Sequence, residues 1–85
     1  MNDPREVIES KILLDDSRLQ LKRWISDFIE PGRIGYQLAL VSKDERLTTQ
    51  FPINWENFTE KQIREMYVAI SSPEDFYEFR REYEK

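Results

Sequence analysis

The chain contains no cysteine and no histidine, only two glycines, and no long apolar run. Each absence removes a class of chemistry. Without Cys or His there is no zinc site of the usual nitrogen and sulfur kind, no disulfide framework and no thiol nucleophile. The side chain that most often serves as general base near neutral pH is missing too. Catalysis would therefore rest on carboxylates, lysine or tyrosine alone. The longest uninterrupted apolar stretch is Leu38-Ala39-Leu40-Val41, far short of the ~20 residues that a membrane span requires. The first residues, Met1-Asn2-Asp3-Pro4-Arg5-Glu6, lack the basic-then-apolar order of a secretory signal. The expectation is a cytoplasmic protein without a membrane segment.

What is present is charge and aromatic mass in 85 residues. A chain of this length is read as one domain spanning residues 1–85. Aromatic residues make up 13%, more than a disordered linker carries, so a compact core of large side chains is expected. Seventeen acids oppose thirteen bases, for a net charge of −4. The imbalance is shared out along the chain, and no basic stripe of the kind that marks nucleic-acid binders appears. Binding to a basic partner surface is more compatible with this balance.

The segment over residues 4–30 reads as helix, either one or two. Asp3-Pro4-Arg5-Glu6 supplies a capping residue, a proline suited to the first helical position and an early acid. Leu21, Trp24, Ile25 and Phe28 then fall at the spacing of one helical face. Asp15-Asp16-Ser17 gathers three poor helix formers and marks a joint. A hairpin is the competing reading, because Lys11–Leu14 and Leu19–Trp24 flank a turn-like Asp-Asp-Ser-Arg. As a single helix, the segment would carry Val7, Leu14, Leu21, Ile25 and Phe28 on one stripe. Ile8, Ile12 and Leu19 would form a second stripe needing its own cover, a partner protein or a second copy in a homodimer.

From Gly35 the rhythm changes to period two. Tyr36, Leu38 and Leu40 alternate with smaller or polar residues, as do Leu47, Thr49, Phe51 and Ile53. With the polar Ser42–Arg46 between them, an antiparallel hairpin over about residues 35–53 is expected. Thr59 with Gln62 makes a capping box, and Phe58 with Ile63 a hydrophobic staple, opening a helix whose buried face is Ile63, Met66, Tyr67 and Ile70. Ser72-Pro73 starts another helix, with Phe76, Phe79 and Tyr83 on one face. The predicted fold is α+β: N-terminal helix or helices, hairpin, then two C-terminal helices in a single small domain.

Four features could carry function. Glu74, Asp75 and Glu78 could approach a divalent cation, but acids gather at helix starts because the dipole favours them. No metal or other cofactor is expected. Gly32-Arg33-Ile34-Gly35 has the G-x-x-G form of loops that clamp RNA backbones, but such loops join two helices whereas this one leads from a helix into a strand, and a glycine helix cap explains both glycines. Trp55 lies among polar residues and is a candidate binding anchor, tryptophan being enriched in interface hot spots. The last helix could dock on a partner through Tyr77 and Arg81. The resulting expectation is a small acidic, non-enzymatic protein-interaction module, a regulator or inhibitor of the size often encoded by phage. Its partner-binding residues would be Ile8, Ile12, Leu19, Trp55, Tyr77 and Arg81. The alternative is a nucleic-acid-binding protein using Arg33, Lys43, Arg46, the outer face of the hairpin and the Gly32–Gly35 loop.

Overall fold

A computed structural model describes residues 5–26, 33–51 and 58–83 of the chain. The order is four strands and then two helices: β1 (Arg5–Ile12), β2 (Arg18–Ser26), β3 (Arg33–Val41), β4 (Thr48–Phe51), α1 (Glu60–Ala69) and α2 (Pro73–Tyr83). The strands form one antiparallel sheet in the order β1-β2-β3-β4. The domain is thus α+β, but it does not begin with a helix. The segment read as N-terminal helix is the hairpin β1–β2.

The turn between β1 and β2 explains the correction. Asp15 accepts hydrogen bonds from the Ser17 backbone N–H, at 3.0 Å, and from the Ser17 hydroxyl. The backbone closes through Asp16 N–H to the Leu13 carbonyl (3.0 Å) and Leu13 N–H to the Ser17 carbonyl (2.8 Å). Asp16 takes a left-handed conformation, with φ 68°. These side-chain to backbone bonds offer the chain an alternative to helix. The β3–β4 connection repeats the chemistry. There Asp44 accepts from the Ser42 hydroxyl (2.7 Å) and the Arg46 N–H (3.2 Å), and Glu45 has φ 62°. The two turns lie side by side at one end of the sheet, joined by Arg18–Glu45 at 3.6 Å and Lys43–Asp16 at 3.5 Å.

Strand periodicity, rather than the helical spacing of Leu21 and Trp24, governs β2. Leu19 and Leu21 face inward, while Gln20, Lys22 and Trp24 fall on the other face because successive side chains alternate. The ladder places Leu19 opposite Leu40 and Leu21 opposite Leu38, and Leu38 in turn opposite Phe51. All of these are buried. Gly35 pairs with Trp24 inside the sheet, so it is a strand residue and not the cap of a preceding helix. As far as Phe51, the expected hairpin over 35–53 is present as β3 and β4, with registers Leu38↔Phe51 and Leu40↔Thr49; residues 52 and 53 lie outside the described residues.

The two helices cover one face of the sheet. Ile63, Met66, Tyr67 and Ile70 of the first helical segment and Phe76 of α2 are buried there, against Leu19, Leu21, Leu38, Leu40 and Phe51. The capping box is formed: Gln62 N–H donates to Thr59 Oγ1 (3.2 Å) and Thr59 N–H to Gln62 Oε1 (2.9 Å). Phe58 packs against the core beside it, as the staple requires. At the α1 side of the sheet, β1 adds polar contacts to the packing of Ile8 against the core. Arg64 pairs with Glu9 at 3.1 Å, and Lys11 Nζ donates to the Tyr67 carbonyl while lying 4.8 Å from that ring's centre. Burial holds the Lys11 ammonium below its ordinary pKa and pushes the Tyr67 hydroxyl above its own, with the Glu9 charge adding to the latter.

Candidate functional site

The pairing of strands disperses the residues that a helical stripe would have collected. A register shift between Val7 and Glu9 places a bulge at Ile8, which is partly buried against the core. Leu19 is fully buried beneath the helices, whereas Ile12 is 69% exposed on the opposite side. Ile8, Ile12 and Leu19 therefore do not share a surface, because period two and a bulge replace period 3.6. Trp55 and Gly32 lie outside the described residues. Tyr77 is half-exposed, its ring edge-on to Phe76 at 5.5 Å, and it lines a small cleft near the turns with Leu47 and Pro73. Arg81 is exposed on α2.

Arg33, Lys43 and Arg46 are not brought together either. Arg33 begins β3 and Lys43 follows its end, so about 30 Å of strand separates them. Lys43 and Arg46 sit in the turn beside Asp16 and Asp44, the latter pair at 3.7 Å. The sheet face turned away from the helices has a different character from the rest of the chain. Its described positions, from Val7, Ser10 and Ile12 across Gln20, Lys22 and Trp24 to Thr48 and Gln50, include no carboxylate.

A concave surface lies between the two helices, a place the sequence reading did not single out. Two adjoining hollows of about 380 and 300 Å³ share Ala69 and Phe79 and run between α1 and α2. Their apolar lining comes from Phe58, Met66, Ala69, Phe79 and Tyr83. Their polar lining is Gln62 together with Glu65, Asp75, Glu78 and Glu82, without a lysine or arginine among the described residues. Helical spacing creates this arrangement. Gln62, Glu65, Met66 and Ala69 fall at i, i+3, i+4 and i+7 on α1, and Asp75, Glu78, Phe79, Glu82 and Tyr83 repeat the pattern on α2.

One end of the groove is fixed by aromatic contacts. Tyr83 meets Phe58 edge-on at 5.4 Å and stacks on Phe79 at 6.5 Å with an interplanar angle of 11°. Phe58 and Tyr83 both contact the buried Phe51 ring, at 5.6 and 6.4 Å. At the other end Asp75 accepts from the Ser71 N–H (3.0 Å) and hydroxyl (3.1 Å). Those backbone and hydroxyl hydrogen bonds from Ser71 hold its carboxyl below the usual aspartate range. A broader depression of about 610 Å³ outside α1 surrounds the exposed Val68. It is walled by that helix alone and carries both signs of charge, Arg64 there pairing with Glu60 at 3.2 Å.

Among the described residues no group of three or more His, Cys, Asp or Glu side chains is placed to hold a metal ion, and no helix is long and apolar enough to cross a membrane. No family model matches the chain, and no curated protein sequence or solved structure is significantly similar to it.

Proposed function

We propose that this protein is a non-enzymatic, acidic interaction module that regulates or inhibits a larger protein, and that the α1–α2 groove is its docking surface. The observation that carries this reading is the groove's composition among the described residues: apolar side chains bordered by four carboxylates and no cation. Interfaces are built around desolvated apolar anchors with a polar rim, and the rim here selects for positive charge. The reading keeps the partner class expected from the net charge and moves the contact away from Ile12, Leu19 and Trp55.

The test is retention of a protein from nuclease-treated cell lysate by the immobilised wild-type chain and by a Glu78→Lys/Glu82→Lys variant. Both positions are exposed on α2, so the variant's circular dichroism should match wild type. One protein held in near-stoichiometric amount by wild type and lost by the variant supports the reading. Equal retention by both chains overturns it.

A second reading rests on the carboxylate-free sheet face, which bears Lys22 and Trp24. Such a face could receive a single-stranded nucleic acid by phosphate contact and base stacking. Its signature would be oligonucleotide affinity that falls steeply with salt and is unaffected by Glu78→Lys/Glu82→Lys.

A further inference from the structure

Resting on the groove as docking surface, we infer that its occupant is a short basic amphipathic helix of the partner, seated with its apolar stripe on Ala69, Phe79 and Tyr83. Three features converge on this ligand class. First, the length fits. The floor runs from Phe58 and Tyr83 at one end to Ala69 at the other, which along α1 is seven residues from Gln62, or about 10 Å. An occupant helix spans the same distance between positions i and i+7, so anchors at i, i+4 and i+7 cover the groove.

Second, the floor is shaped for side chains entering from above. Ala69 is small and exposed at the junction of the two hollows, which leaves room for a central anchor between the helices. Phe79 and Tyr83 offer ring surface held in place by the Phe58 contact.

Third, the charge favours a cationic occupant over an anionic one. Glu65, Glu78 and Glu82 would repel a phosphate backbone. They would also disfavour a second copy docking through its own α2, where Glu74, Asp75, Glu78 and Glu82 outnumber Arg80 and Arg81. Lysines and arginines flanking an apolar stripe would instead face carboxylates on both walls.

The experiment uses the full chain and fluorescein-labelled 18-residue peptides read by anisotropy. The first peptide carries Leu at i, i+4 and i+7 with Lys on the flanks. The second has the same composition with the leucines dispersed, the third has Glu in place of every Lys, and a fifteen-nucleotide oligo-dT is the fourth probe. The striped basic peptide should bind, with the dispersed version about tenfold weaker or worse because its apolar burial is lost. Glu78→Lys/Glu82→Lys should weaken the striped peptide by about tenfold, and raising salt should act in the same direction. Amide chemical shifts of Gln62, Met66, Ala69 and Phe79 should move on titration.

Equal binding of striped and dispersed peptides overturns the helix, as does shift perturbation confined to the sheet. Preference for the acidic peptide or for oligo-dT overturns the charge argument. Absence of binding by the striped peptide overturns the inference outright. If the lysate protein is nevertheless held through Glu78 and Glu82, the groove remains the docking surface and only its helical occupant is wrong. If both experiments fail, the groove reading falls with it.

Discussion

The Gly-versus-Ala difference at Asp16 has opposite signs in a turn and in a helix, so it tests the β1–β2 hairpin directly. Asp16 sits at φ 68°. A residue with a Cβ in that region costs about 1–2 kcal/mol relative to the right-handed one, whereas glycine adopts it freely. Glycine in turn gives up about 0.5–1 kcal/mol of unfolded-chain entropy that alanine does not. The Asp16→Gly variant should therefore be more stable than Asp16→Ala by roughly 0.5–1 kcal/mol, combining those terms. Both substitutions remove the same Lys43 contact, at 3.5 Å between exposed side chains, so that loss cancels in the comparison. Within a helix, alanine would instead be favoured by about 1 kcal/mol. Thermal and urea unfolding followed by circular dichroism resolve the difference, since 1 kcal/mol moves the midpoint of a domain this size by about 4–8 °C. An alanine variant as stable as the glycine variant, or more so, would refute the turn. Glu45, with φ 62°, should give the same ordering in the second hairpin.

Phe76→Ala should cost about 3–5 kcal/mol, because a fully buried ring leaves a cavity under α2; the urea midpoint measures it. Thr59→Ala should cost about 1 kcal/mol through loss of the capping box, with Gln62→Ala removing only its reciprocal half. Asp15, Asp44 and Asp75 have pKa values held below the ordinary 3.8, chiefly by hydrogen bonds from Ser17, from Ser42 and Arg46, and from Ser71. Their contribution to stability is therefore complete above that value and is lost as pH falls through the depressed ones. An Asn triple variant should show a flatter acid limb in a pH series of unfolding midpoints.

Local chemistry made the C-terminal half readable. Thr59 and Gln62 define a helix start within four residues, and Ser72-Pro73 does the same for α2, because capping is satisfied by near neighbours. The alternation of Tyr36, Leu38 and Leu40 identified β3 for a similar reason. β1 and β2 were less legible. Leu21, Trp24 and Ile25 match one helical face as well as they match two faces of a strand, and a strand's hydrogen bonds are made with residues distant in sequence. The turn residues Asp15-Asp16-Ser17 carried the deciding signal, repeated in the Ser42–Arg46 connection.

The sequence by itself determined the absence of thiol and imidazole chemistry, the acidic balance, the two helix starts and the second hairpin. These follow from residue identity and short-range contacts. Only the tertiary structure decided which faces are covered. Pairing β2 between β1 and β3 buried Leu19, turned Ile12 outward and set Arg33 far from Lys43. The placement of α2 relative to α1 then set Glu65 beside one hollow and Glu78 and Glu82 beside another, the two sharing Ala69 and Phe79. That arrangement joins residues more than ten positions apart, and no periodicity within either helix alone specifies it.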